Sequence, residues 1–243
     1  MTTIALITGA NKGIGLETAR QLAAKGIHVI IGARDAAKGE AAAQTLQAEG
    51  YKADFIPLEV SNEASVKQAA QTVTDRYGKL DILVNNAGIH PEFAQGVFSF
   101  EQMSLELLMQ VYQTNFFGPF LVTREFLPLL GKSEAGRIVN TSSSAGSLTD
   151  QSNPESPYYG VNTAGYNSSK TSLNALTVQL AKQLTGTNIK VNSACPGWVQ
   201  TDMGSAAAPR TVQQGAGIII KLATLPNDGP NGGFFNEAGA IGW

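Results

Sequence analysis

The sequence predicts an α/β protein: one domain spanning residues 1–243, built on a doubly wound parallel sheet with helices on both faces. Three observations predict it. Short apolar runs rich in Val and Ile alternate with longer segments of helical period, the pattern of a parallel sheet covered on both sides. A content of 43% hydrophobic and 15% charged residues over 243 positions allows a substantial single core. Between the first apolar run and the first helical stretch lies a glycine-rich turn, Gly9 to Gly15.

Strands are expected at Ile4–Thr8, His28–Ala33, Ala53–Pro57, Ile82–Asn85, Arg137–Thr141 and Lys190–Ala194, and helices starting near Gly13, Asp35, Asn62, Glu101 and Gly165. Asp35 and Asn62 stand where N-caps belong. Gly26, Gly50 and Gly78 follow helical stretches where a left-handed C-cap falls. Two segments dense in turn residues, near 146–160 and 196–210, are read as loops over the carboxyl edge of the sheet, where open α/β sheets bind ligands.

A formal net charge of -2 without long basic runs argues against nucleic acid or an anionic membrane as a partner and for a small molecule. The chain enters Ile4-Ala5-Leu6-Ile7 directly after Met1-Thr2-Thr3, so a soluble, cytoplasmic protein is expected. Cys195 is the only cysteine, which excludes an internal disulfide, and His28 and His90 are too few for a zinc site at this spacing. No metal is expected.

Tyr166 and Lys170 carry the chemistry. Four apart on a helix, they project from one face. At about 5 Å and an effective dielectric of about 20, an ammonium attracts a phenolate by roughly 3 kcal/mol, which lowers a phenol by about two pKa units. Such a phenol exchanges a proton with a carbonyl or alcohol oxygen without metal or histidine. Tyr158 and Tyr159 lack a lysine four places on. In the glycine turn, missing β-carbons permit a tight turn and a close approach of a pyrophosphate to a helix N-terminus; the alternative is a purely structural turn.

Four motifs in order resemble the short-chain dehydrogenase/reductase family over essentially the whole chain: Thr8 to Gly15, Asn85-Asn86-Ala87-Gly88, Ser143 with Tyr166 and Lys170, and Pro196-Gly197-Trp198-Val199-Gln200-Thr201. Within it, Gly9 to Gly15 and Cys195 to Met203 most resemble the NADPH-dependent carbonyl reductases. The resemblance implies a Rossmann-type fold and an NADP(H)-dependent reduction of ketones and aldehydes. It makes Tyr166 the acid/base, while Lys170 lowers its pKa and binds the nicotinamide ribose. Ser143 would hold the substrate oxygen; it is chosen among Ser142, Ser143 and Ser144 because it lies three before Gly146. Asn115 would hold a water of the proton path from the lysine. Gly9, Asn11, Lys12, Gly13, Ile14 and Gly15 would line the cofactor's phosphates, and Glu59, Val60, Asn86, Ala87 and Gly88 its adenosine end. Pro196, Gly197, Val199 and Thr201 would complete the cofactor site.

The residue ending the second strand selects the nicotinamide, since a carboxylate there binds a ribose 2′-hydroxyl and repels a 2′-phosphate. Here it is Ala33, followed by Arg34; with Lys12, two cations face a 2′-phosphate, which favours NADPH. Asp35 is read as an N-cap. Phe93, Tyr159, Trp198 and Met203 are candidates for an apolar substrate pocket, with simple packing as the alternative reading of each. His90 is read as exposed and without a role, with a place at the border of the pocket as the alternative, and Cys195 as a buried packing residue. The segment between Ser143 and Tyr166 is of intermediate length for the family, so monomer and homo-oligomer both stay open. Rival readings are a dehydrogenase of another substrate class, such as a hydroxysteroid or a 3-ketoacyl thioester, and an NADPH-sensing regulatory protein without turnover.

Overall fold

Ile4-Ala5-Leu6-Ile7 offers apolar side chains in both directions, and in the computed structural model, which describes residues 2–243, all five residues of strand β1 (Ile4–Thr8) are buried. The same holds for β4 (Ile82–Asn85) and β5 (Arg137–Thr141), while β2 (His28–Ala33), β3 (Ala53–Pro57) and β6 (Lys190–Ala194) follow with one or more partly open residues. All six have the bounds expected from the sequence. Two short strands, β7 (Phe234–Asn236) and β8 (Gly239–Ala240), extend the sheet. The order is β3-β2-β1-β4-β5-β6-β7-β8, parallel except for the antiparallel final pair. Strand order reverses between β1 and β4, which places a crevice at their carboxyl ends.

Alternation along the strands splits the core in two. Leu6, Ile30, Ile56, Leu83 and Ile138 face one layer; Ala5, Ile7, Val29, Ile31 and Val84 face the other. The first layer packs under helices α3 (Glu63–Tyr77), α6 (Gly118–Leu130) and α8 (Ala164–Gln183), the second under α1 (Gly13–Ala24), α2 (Ala36–Ala48) and α9 (Val212–Ala223). Burying each large aliphatic side chain is worth roughly 1.5–3 kcal/mol. These two layers fix the sheet edge on which the site is built.

Asp35 and Asn62 cap α2 and α3 by accepting from Lys38 N and Ser65 N, both at 3.0 Å. Gly26, Gly50 and Gly78 all have φ above +70°, as expected of left-handed C-caps. The helix expected near Glu101 instead begins at Leu105, where Ser104 accepts from Leu107 N, and α5 (Leu105–Tyr112) runs through a π-helical turn, Gln113–Phe117, into α6. A short helix, α4 (Pro91–Gln95), precedes it. The 146–160 loop is more ordered than expected. It contains α7 (Leu148–Gln151), and Ser147 and Thr149 bond the backbone carbonyls of Gly242 and Trp243.

A buried polar row crosses the sheet beneath the site. Asn85 donates to Asn140 at 2.8 Å and to Thr123 at 3.0 Å; Asn140 donates to Thr177 of α8, whose hydroxyl meets that of Ser193, both at 2.8 Å. Buried polar networks of this kind help to fix one packing arrangement, although Asn85 Oδ1 has no partner here. This one ties α8 to β4, β5 and β6. Among the described residues no helix is long and apolar enough to cross a membrane, and no cluster of three or more His, Cys, Asp or Glu could hold a metal.

Candidate active site

Gly9, Asn11 and Lys12 lie in the turn after β1, and Gly13, Ile14 and Gly15 open α1. A β-carbon on Gly15 would lie 2.5 Å from Asn86 Nδ2 and 2.7 Å from the Gly9 carbonyl, while one on Gly9, at φ +65°, would meet Ala87 Cα at 2.9 Å. The glycines therefore let the Asn86-Ala87-Gly88 segment close beneath the turn. Thr8 Oγ1 stitches the two together by accepting from Asn86 N and Ala87 N, both at 3.0 Å.

Helices α2, α3, α5 and α9 carry side-chain caps, but α1 has none, and its first turn holds no acidic residue. Its free N–H groups and positive dipole end suit an anion. Lys12 lies beside them, paired with Asp202 across the crevice. Arg34 is 83% exposed and 3.4 Å from Glu59, and Ala33 is buried at the end of β2. Asp35 is spent on the α2 cap. This donor set fits the phosphates of a nicotinamide dinucleotide. Glu59 is held by the Ser61 N–H and hydroxyl, and Val60 is buried in the core against Gly118.

Tyr166 and Lys170 lie on the first turns of α8, and Ser143 lies at the end of β5. Gly146 brings them together: a β-carbon there would be 2.6 Å from Lys170 Cβ and 2.8 Å from the Lys170 backbone carbonyl carbon. Of the three consecutive serines, Ser142 is buried with its hydroxyl toward the Lys170 carbonyl, and Ser144 is buried against Cys195 Sγ at 3.2 Å. Ser143 is the partly open one; its hydroxyl accepts from Ala145 N at 3.2 Å, and it lies near enough to Tyr166 to pull the phenol's pKa downward. Cys195 is a buried packing residue, as expected.

Lys170 is 4% exposed, donates to the Thr141 carbonyl at 2.8 Å, and its ammonium lies 5.6 Å from the centre of the Tyr166 ring. The expected lowering of the phenol is not what the surroundings produce. Burial pushes Tyr166 up to about 12, against a smaller downward pull from the Ser143 hydroxyl. Burial also brings Lys170 down to about 8, which weakens the cation that was expected to act on the tyrosine.

Asn115 sits fully buried in the π turn, a distortion that often marks function within a helix. Both ends of its side chain are bonded to protein. Oδ1 accepts from Ile89 N at 2.8 Å, and Nδ2 donates to the Ile89 carbonyl at 2.9 Å and to Ser169 Oγ at 3.1 Å. It thereby joins the segment after β4 to α8. Gly88 lies between, where an added β-carbon would be 3.4 Å from Asn115 Oδ1 and 3.5 Å from Lys170 Nζ.

Pro196 and Val199 are buried, and Gly197 has φ +80°. Thr201 Cγ2 would be 3.4 Å from a β-carbon on Gly13, so this loop leans on the glycine turn. Trp198 and Met203 are exposed on the same loop, with Trp198 Nε1 donating to the Gly204 carbonyl at 2.6 Å. Phe93 lies 5.8 Å from the His90 ring. Tyr159 lines a different groove, with Phe98, Leu148 and Thr171, which Tyr166 and Trp198 do not border.

Glu92 went unread, and His90 was read as exposed. His90 is half-buried rather than exposed, and its ring stacks on that of Tyr166 with centroids 4.0 Å apart; burial, then repulsion from Lys170, brings it down to about 4. Glu92 is fully buried and accepts from Tyr166 N at 2.8 Å. Both lie close in sequence to the Asn-Asn-Ala-Gly motif, the one signal that could have raised them.

A dinucleotide-type crevice beside a tyrosine, lysine and serine at the sheet's carboxyl edge defines an oxidoreductase of the Rossmann kind. The family model described as short chain dehydrogenase matches residues 3–211, and the chain belongs to that family. It is 34% identical to carbonyl reductase [NADPH] 1 of Bos taurus, covering 99% of this chain and 98% of that one. It is also 34% identical to a (+)-neomenthol dehydrogenase of Arabidopsis thaliana, over 96% and 95% of the two chains. Among solved structures, an NADPH-bound carbonyl reductase from chicken fatty liver superposes with a TM-score of 0.86 at 32% identity, covering 100% of this chain and 99% of that one.

Proposed function

We propose that this short-chain dehydrogenase is a carbonyl reductase that uses NADPH to convert ketones and aldehydes to alcohols. The observation that carries the reading is the Tyr166–Lys170 pair of α8, packed at Gly146 against the segment that bears Ser143, beside an uncapped, cation-flanked glycine turn. Likeness to an NADPH-dependent carbonyl reductase supports it.

NADPH, when bound, supplies hydride from its nicotinamide. The protein supplies geometry and a proton. Ser143 donates a hydrogen bond to the substrate carbonyl oxygen and polarises it. Tyr166, whose raised pKa keeps it protonated at neutral pH, gives its phenolic proton to that oxygen as negative charge develops there. Lys170, held by Thr141, stabilises the phenolate left behind. Asn115 keeps α8 seated against the segment after β4. Lys12, Arg34 and the first turn of α1 would hold the phosphates, with Arg34 and Lys12 directed to the 2′-phosphate.

The test is NADPH oxidation at about neutral pH across aromatic ketones, diketones, ketoesters, aldehydes, a ketosteroid and a 3-ketoacyl thioester, with NADH in parallel. Turnover of simple ketones with kcat/KM higher for NADPH than for NADH is expected. Turnover confined to the steroid or thioester would move the substrate class. NADPH binding without turnover of any compound would contradict the enzyme reading.

A further inference from the structure

Glu92 has no place in the chemistry above, yet it is the most deeply buried acidic side chain of the chain, with no measurable exposure. Oε1 accepts from the Tyr166 backbone N–H at 2.8 Å, across 74 residues of sequence. That N–H belongs to the third residue of α8, one of the donors that a helix leaves unpaired in its first turn. The helix's own N-cap, Thr163, makes no side-chain cap; its hydroxyl donates to Asn167 Oδ1 instead. A β-carbon on Gly165 would come within 2.9 Å of Glu92 Oε1, so the glycine leaves room for the carboxylate. Two residues earlier, His90 lies flat on the Tyr166 ring at 4.0 Å. One short segment thus holds the tyrosine by its backbone and by its ring.

We propose that Glu92 is a positioning residue for Tyr166: its buried carboxylate closes the first turn of α8 from outside the helix and, with the stacked His90 ring, sets the direction of the phenol. The inference rests on reading Tyr166 as the proton donor. Four other groups face the phenol: the Lys170 ammonium from the same helix, the His90 ring from the start of α4, the Ser143 hydroxyl from the end of β5, and the Cys195 thiol from beyond β6. Glu92 adds negative charge on the α4 side, which opposes phenolate formation.

Two variants separate the hydrogen bond from the charge. Glu92→Ala removes both; Glu92→Gln keeps an acceptor oxygen and removes the charge. In Glu92→Ala, kcat for ketone reduction is expected to fall roughly tenfold to a hundredfold, as small misplacements of reacting groups do. KM and the NADPH Kd from fluorescence titration should stay within about twofold. Glu92→Gln should recover most of that kcat, with the alkaline limb of the kcat profile moved to lower pH. An unchanged kcat in Glu92→Ala would overturn the proposal, as would a loss shared by NADPH binding and not recovered in Glu92→Gln. If Glu92→Ala does not fold, the Glu92→Gln profile decides: a limb moved to lower pH supports the proposal and a superposable one overturns it. Tyr166→Phe in the same assay separates the two claims. Full activity there would refute the proton-donor reading itself, whereas an inactive Tyr166→Phe beside an unaffected Glu92 pair would refute only the positioning role.

Discussion

The Lys170 ammonium lies 5.6 Å from the centre of the Tyr166 ring while donating to the Thr141 carbonyl at 2.8 Å. The cation is therefore anchored to β5 and presented to the tyrosine from behind. Helical spacing alone gives the pairing but not the anchor. Because burial raises the phenol and lowers the ammonium, the phenol stays protonated at neutral pH, as the proposed role of proton donor requires.

The buried lysine has a consequence for stability. Its folded pKa of about 8 lies below the ordinary 10.5, so between those values the unfolded chain binds more protons and stability contributed by this group rises with pH. Lys170→Met removes the buried charge. The variant should melt higher than the parent at pH 7 if its packing is retained, and the difference should shrink between pH 8 and 10.5; its full span is at most roughly 3 kcal/mol. Melting curves at a series of pH values check this, and a pH-independent difference would contradict it.

The proposed preference for NADPH rests on cations at the crevice. Arg34→Ala removes a guanidinium that is 83% exposed and held by a single 3.4 Å ion pair to Glu59. The loss of charge-assisted bonds to a 2′-phosphate should raise the NADPH Kd roughly tenfold or more. The NADH Kd should not move. Ala33→Asp should reverse the preference, by adding the carboxylate that repels a 2′-phosphate. Fluorescence titration with both nucleotides distinguishes this from a general weakening.

Gly15→Ala would drive a methyl into Asn86 Nδ2 and the Gly9 carbonyl. Forcing that contact should cost roughly 1–3 kcal/mol, or several degrees in Tm for a chain of this size, together with weaker NADPH binding. Gly217→Ala on α9 is the control. Its β-carbon meets nothing within 4 Å, so the variant should be neutral or slightly more stable.

β1, β2 and β4 were legible as apolar runs buried almost throughout, and β3, β5 and β6 as shorter runs with an apolar centre between turn signals. β7 and β8 were not: Phe234–Asn236 and Gly239–Ala240 are too short to show a period. Helix α9 escaped although Thr211 and Gln214 form a capping box, because Gly215 and Gly217 interrupt the pattern. At the site, the Tyr166–Lys170 spacing and Ser143 were readable as local patterns. Glu92 and His90 were not, since what marks them is a hydrogen bond and a ring stack to a residue more than seventy positions away.

The central claim is that Tyr166 donates the proton. The most direct measurement is single-turnover reduction of a ketone by Tyr166→Phe with NADPH, alongside the NADPH Kd. The account predicts a rate lower by roughly a factor of a hundred to ten thousand with the Kd within twofold of the parent; an undiminished rate at unchanged Kd would contradict it.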